Sequence, residues 1–260
     1  MDARYQLIPA WRIREGVGES IEDPVTRESP LTIILNDREL VTLLCTWEHV
    51  DELAVGFLQS EGFIKAGDDI PDVRIDEEQG SAIVKTARQA AVAEQTFLKR
   101  YITTGCGKGT SFYNLSDAVC RPVETGFTVT PAQIFRLMTE AQRMSEMFKI
   151  TGGVHSSAVC TGENILFFRE DIGRHNSVDK LTGRCFYDRI DTADKILLTT
   201  GRISSEILIK AAKMGVPVIA SRSAPTDLAV KYAADLGVTV AAFVRNRRMN
   251  VYTYPERVSP

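Results

Sequence analysis

Five cysteines are few for 260 residues, and Cys45, Cys106, Cys120, Cys160 and Cys185 contain no CxxC pair. An odd number without close spacing argues against a disulfide framework and against a zinc knuckle. A reducing cytosol is the compartment that suits such usage. The chain also lacks an excess of either charge. Its 31 lysines and arginines stand against 34 aspartates and glutamates, a net charge of −3, so no overall basic field draws in nucleic acid. No apolar run reaches the roughly 18 residues of a membrane span, and the opening MDARYQLIPAWRIREG has no signal-peptide core. A soluble, unexported protein is therefore expected. Repeats and low-complexity tracts are missing too. An apolar content of 44% is present instead, enough for one large core or two smaller ones.

The apolar residues are spaced informatively. LTIILNDRELVTLLC (31–45) reads as two strands joined at Asn36-Asp37, and VRIDEEQGSAIVK (73–85) as a second hairpin turning at Gln79-Gly80. Between them HVDELAVGFLQSEGF (49–63) carries its apolar residues on one helical face, with Gly62 as a stop. Thr130 and Pro131 start a long amphipathic helix whose buried face is expected to hold Ile134, Leu137, Met138, Ala141, Met144 and Phe148, with Met147 also filling core. From residue 154 come two strands, VHSSAVC and ILFFRE, a helix over SVDKLTGRCFYDRI, and then strands KILLTT, VPVIAS and VTVAAFV alternating with helices. Such alternation implies a mainly parallel sheet covered by helices. The division expected is a smaller β-rich unit over 1–128 and an α/β unit over 129–260.

In an open sheet of this kind, ligands bind beyond the carboxyl ends of the strands. The residues that follow those strands are EDIGRHN (170–176), Gly201-Arg202, Arg222 and Arg245-Asn246-Arg247-Arg248. Arginine-bearing loops on one edge make a pocket for a phosphorylated or nucleotide-like ligand, because a planar guanidinium meets phosphate through two parallel hydrogen bonds. The plainer alternative is that each loop is polar and solvated. His155 and His175 carry two readings, acid–base or metal chemistry on one side and a structural hydrogen bond on the other. Asp171 and Asp179 are read as orienting or capping groups. Asn176 with Asp179, and Ser205, look like helix-start residues. Cys45, Cys160 and Cys185 sit in apolar contexts and are expected in the core.

Cys106 stands apart in ITTGCGKGTSFY (102–113), flanked by Gly105 and Gly107. Glycine allows unusual backbone angles and close approach, so this loop exposes its thiol, whereas most free cysteines act as small core residues. Lys108 nearby would lower the thiol pKa and raise the thiolate population needed for attack on another sulfur. Two familiar signatures are absent. The loop does not complete GxxxxGK followed by serine or threonine, and His155 is followed by Ser156-Ser157 with no later CxxC, so a zinc deaminase would have no ligands.

TGGVHSSA (151–158), EDIGRHNSVDK (170–180), TTGRISSE (199–206) and FVRNRRMNVY (243–252), together with the Gly-Cys-Gly loop, resemble the FdhD family. The resemblance runs over most of the chain. It implies a cytidine-deaminase-like, three-layer α/β C-terminal domain beside the smaller β-rich N-terminal domain, in a cytosolic accessory protein needed for active formate dehydrogenase. It further implies that Cys106 takes sulfur from a cysteine desulfurase as a persulfide. That sulfur would pass to the molybdenum of the bis(molybdopterin guanine dinucleotide) cofactor. By the same resemblance, Phe243, Val244, Arg245, Asn246, Arg247 and Arg248 form the cofactor-binding segment, alongside the arginine edge of Arg174, His175, Arg202 and Arg222, and the chain forms a homodimer. Many relatives carry CxxC in this loop. Here the positions three after and three before Cys106 are Gly109 and Thr103, which leaves one loop cysteine. The alternative reading is a chaperone that holds the molybdenum cofactor or a guanine nucleotide without sulfur chemistry.

Overall fold

Asn36 and Asp37 both adopt positive φ, 48° and 66°, which matches the right-handed twist of a two-residue hairpin. They join β3 (Ser29–Leu35) to β4 (Arg38–Cys45) in the computed structural model, which describes residues 4–65, 67–86 and 122–259. Ahead of this hairpin, β1 (Tyr5–Arg14) and β2 (Val17–Thr26) form a separate two-stranded ribbon that the residue pattern had not revealed. After α1 (Val50–Ser60), β5 (Asp72–Asp76) and β6 (Ser81–Lys85) form the second expected hairpin. They complete a four-stranded sheet ordered β4-β3-β6-β5. Leu31, Ile33, Leu35, Ala82 and Val84 turn one face of this sheet onto Leu53, Ala54, Phe57 and Leu58 of α1.

The second half builds a six-stranded sheet ordered β12-β11-β10-β9-β7-β8. Its strands are β7 (His155–Cys160), β8 (Ile165–Asp171), β9 (Ile196–Thr199), β10 (Val218–Ser221), β11 (Thr239–Arg245) and β12 (Arg248–Val251). Only β9, β10 and β11 pair in parallel. The sheet is mixed rather than mainly parallel, because two tight hairpins, β7–β8 and β11–β12, close its flanks. Helices α4 (Arg174–Tyr187), α5 (Ser205–Met214) and α6 (Asp227–Leu236) cover one face through Val159, Leu197, Ile219 and Val240. Helix α2 (Pro131–Met144) covers the other through Ala158, Leu198, Ala220 and Ala241. The chain is thus a mixed α/β protein with several sheets, the largest sandwiched between helices.

Thr130 caps α2 as expected, in a reciprocal capping box with Gln133. The helix does not run on to Phe148. It breaks at Ser145, whose Oγ lies 2.7 Å from Ser156 Oγ and donates to the Ala141 carbonyl, and α3 (Glu146–Thr151) starts afresh. Met138 and Met147 stay buried. Met144 and Phe148 instead face outward, 42% and 52% exposed, because the break rotates them off the buried stripe. Helix α5 begins at Ser205, as expected, and the side chain of the preceding Ser204 caps it.

The two sheets are joined by α1 lying against α4. A Cβ on Gly56 would come 1.8 Å from the Asp179 carbonyl oxygen, and one on Gly183 would come 2.0 Å from that of Glu52. The helix backbones touch at these glycines. Phe186 of α4 belongs to the core of the four-stranded sheet, and Arg169 of β8 grips Glu52 of α1 through two hydrogen bonds of 2.6 Å.

Candidate functional site

Strand direction gathers the site. Because β7 runs antiparallel to β9, its first residue, His155, lies at the edge where β8, β9, β10 and β11 all end. The loops there begin at Asp171, Thr200, Arg222 and Arg245. The edge inferred from sequence is therefore assembled in the fold, with four arginine-bearing segments on one side.

The loop after β8 is held from beneath. Asp171 and Lys180, both fully buried, pair at 2.7 Å. The Asp171 carboxylate also accepts from the backbone N–H groups of Thr46 at 3.1 Å and Gly173 at 2.8 Å, and from Asn176 Nδ2 at 2.9 Å. Lys180 donates onward to the Thr46 carbonyl. A buried charge pair is costly unless every remaining donor and acceptor is met, and here the partners are supplied by both halves of the chain. Asp179 likewise pairs with Lys210 and accepts from Ser60 Oγ at 2.7 Å. These acidic residues tie the halves together, and Asn176, which also donates to the Leu44 carbonyl, does the same. Glu170 accepts from the N–H groups of Met147 and Phe148, while burial pushes its carboxyl above the ordinary carboxylate value.

On this base sit Arg174 and His175. Arg174 is buried against Gly201, where a Cβ would meet the arginine's own Cβ at 2.8 Å. His175 Nε2 lies 2.8 Å from the buried carboxylate of Glu206, in the first turn of α5. His155 is held below its ordinary 6.5 by burial first and then by the nearby Arg174, His175 and Arg202 side chains, with Asp171 opposing. Arg174, His175 and Arg202 thus share one electrostatic neighbourhood with His155.

A groove of about 680 Å³ opens beside this cluster, lined by His155, Thr200, Arg222, Ser223, Phe243 and Arg245 among others. Phe243 has φ of 56°, a left-handed conformation rare for a bulky side chain, and it falls in the irregular stretch between Ala242 and Arg245 where β11 loses register with β12. Its N–H donates to the Ser223 carbonyl, which helps to hold the strained residue. A second groove of about 1040 Å³ lies across Arg222 and Arg245, lined by Val244, Asn246 and Arg247 on one wall and by α2 on the other. Arg248 stands apart from both, in β12 opposite Arg245. Thr200, Ser223 and the α2 wall had not been singled out. Thr200 and Ser223 follow strand ends, so the rule that found the arginines would have found them, whereas the α2 wall depends on packing.

Cys106 and Lys108, like Cys120, lie outside the described residues. Cys45, Cys160 and Cys185 are buried as expected, and burial pushes each thiol up to about 12. Among the described residues, no group of three or more histidines, cysteines and carboxylates is placed to hold a metal ion, and no helix is long and apolar enough to cross a membrane.

The FdhD/NarQ family model matches residues 26–259. The chain belongs to this family. It is 43% identical over 249 residues to the sulfur carrier protein FdhD of Bacillus subtilis (strain 168), covering 95% of each chain. It is 47% identical over 240 residues to the sulfur carrier protein FdhD of Halalkalibacterium halodurans, covering 91% of this chain and 89% of the relative. A crystal structure from Desulfotalea psychrophila, of a protein provisionally described as a formate dehydrogenase accessory protein, superposes with a TM-score of 0.80 at 26% identity, covering 98% of this chain and all of the other. For a family member, the motifs around His155, Arg174 and Arg245 are thus the parts that converge on the carboxyl edge of the large sheet.

Proposed function

We propose that this chain is a sulfur carrier required for formate dehydrogenase activity, with Cys106 as the atom-bearing residue. The observation that carries the reading is the contrast between its cysteines. Cys106 stands in the sequence Gly-Cys-Gly-Lys, whereas Cys45, Cys160 and Cys185 are buried thiols pushed up to about 12, too protonated to attack at neutral pH. The relatives that cover nearly the whole chain are named sulfur carrier proteins. In the proposed step the Cys106 thiolate attacks the terminal sulfur of a persulfide on a cysteine desulfurase. A new S–S bond forms at Cys106, and the desulfurase thiolate departs with the electron pair of the broken bond.

The acceptor proposed is the molybdenum of bis(molybdopterin guanine dinucleotide), bound as substrate before its insertion into formate dehydrogenase. The residues present suit its anionic, guanine-bearing ends. Arg222 and Arg245 offer bidentate donors to phosphate, Phe243 offers a ring to a base, Arg174 and Arg202 add positive charge behind His155, and His175 lies beside them. Val244, Asn246, Arg247 and Arg248 complete the segment that resembles the family's cofactor-binding stretch. The large domain is read as cytidine-deaminase-like, working as a homodimer in the cytosol.

Intact-protein mass spectrometry after incubation with a desulfurase and cysteine tests the carrier. One added sulfur, removed by reductant and missing in Cys106→Ala, is the expected result. No addition, under conditions that load a known sulfur acceptor, sinks the reading. The arginine edge favours a second reading, a chaperone that holds the cofactor without sulfur chemistry. In that case Cys106→Ala would still support formate dehydrogenase maturation.

A further inference from the structure

The larger groove shares Arg222 and Arg245 with the smaller one, and its α2 wall is not accounted for by the sulfur carrier or by the proposed cofactor segment. One wall is the outer face of α2, where Arg136, Glu140 and Arg143 follow one another at the i, i+4 and i+7 spacing. The other is the β11–β12 turn, whose Asn246 and Arg247 have φ of 52° and 56° and so keep the turn tight. Phe135, Met138 and Val244 supply apolar lining between them. Five arginines and no lysine line this groove, in a chain whose net charge is −3. Arg136 is engaged by Glu163 at 3.1 Å and Glu140 at 3.9 Å. Arg143, Arg222, Arg245 and Arg247 make no ion pair among the described residues.

A second observation lies alongside. The helix break at Ser145 leaves Met144, Phe148 and Ile150 exposed by 42%, 52% and 41%. Met144 directly follows Arg143 of the large groove, and Phe148 lines the smaller one. Arginine, methionine and aromatic residues with little lysine are the composition of protein-binding patches rather than of ordinary surface.

We propose that the groove between α2 and the β11–β12 turn, with Met144 beside it, is a docking surface for an acidic segment of a partner protein that carries an apolar side chain. Charge complementarity selects this occupant. Four arginines without an ion pair among the described residues, lining one groove of about 1040 Å³, match a run of carboxylates along a peptide better than they match one compact phosphate group. Phe243, the ring suited to a nucleotide base, lines the other groove. The surface stands independently of whether Cys106 carries sulfur.

The test uses the full chain and a fluorescein-labelled nonapeptide of glutamate and aspartate with one phenylalanine and one leucine. Its partner is the same peptide with lysine at every acidic position. Fluorescence anisotropy is expected to show binding of the acidic peptide alone, weakened by added salt and by about tenfold or more in Arg143→Glu. Met144→Ser is expected to weaken it several-fold, by removing apolar contact area. Arg143 and Met144 are exposed, so both variants should fold, and guanosine diphosphate binding and sulfur loading of Cys106 should be unchanged in Arg143→Glu. Three results would each overturn the proposal: no binding of the acidic peptide, equal binding of the lysine peptide, or an Arg143→Glu variant that loses guanosine diphosphate instead of peptide. The last would assign the groove to a nucleotide.

Discussion

His155 shows how much one side chain's chemistry owes to its neighbours. Its folded value lies below the ordinary 6.5 through burial first and then through the neighbouring Arg174, His175 and Arg202 side chains. Below pH 6.5 the unfolded chain therefore binds a proton that the folded chain refuses. Stability is fully present above that value and is lost as pH falls towards the folded one. Urea melts between pH 5 and 7.5 are expected to show a decline that is shallower in His155→Gln; an unchanged slope would contradict the assignment. Arg222 lies between both grooves, so Arg222→Ala is expected to weaken guanosine diphosphate binding by about tenfold to a hundredfold in calorimetry, the range for losing a charged hydrogen-bond donor. At this scale the sequence was informative about residue type. The arginines after strands, the core cysteines and the capping role of Thr130 were legible. The buried pairing of Asp171 with Lys180 and of Asp179 with Lys210 was not, because the partners come from different helices and strands.

Helices α1 and α4 are the elements whose contact matters most. With a Cβ placed 1.8 Å from the Asp179 carbonyl oxygen, Gly56→Ala must push the two helices apart, and Gly183→Ala must do the same against Glu52. Each is expected to cost about 3 kcal/mol or more, since overpacking against backbone has no flexible side chain to yield. Chemical denaturation measures this, and a change within about 0.5 kcal/mol would show that the helices can shift freely. Nothing in the local spacing marks either glycine, because the contact joins the backbones of two helices far apart in sequence, each buried on nearly every side. The break at Ser145 was hidden for a related reason. The apolar stripe continues in register through it, and the contact of Ser145 with Ser156 of β7 comes from a strand that the local spacing does not record. The β1–β2 ribbon escaped notice because Leu7, Trp11 and Ile13 share one exposed face, so burial cannot be read from their alternation.

Across the whole molecule, the two sheets are joined by buried polar links as well as apolar packing. Arg169 with Glu52, Lys180 with the Thr46 carbonyl, and Asn176 with the Leu44 carbonyl all cross from one half to the other. One cooperative thermal transition is expected in scanning calorimetry, and two resolved transitions would show that the halves unfold separately. Lys180→Met leaves Asp171 buried without its countercharge and is expected to lower stability by about 3–5 kcal/mol. If the same substitution left stability unchanged, the pair would be replaceable by apolar packing.

By itself the sequence determined the alternation of strands and helices in the second half, both hairpins of the smaller sheet and the motifs of the FdhD/NarQ family. These depend on turn chemistry, periodicity and side-chain type, all of which act between near neighbours. Tertiary structure alone decided that β7 runs against β9 and so brings His155 to the arginine edge. It also divided that edge into two grooves around Arg222 and Arg245, and placed α2 as the wall of one. Strand direction and the closeness of distant segments are set by which buried surfaces fit together, and no local stretch of chain records that.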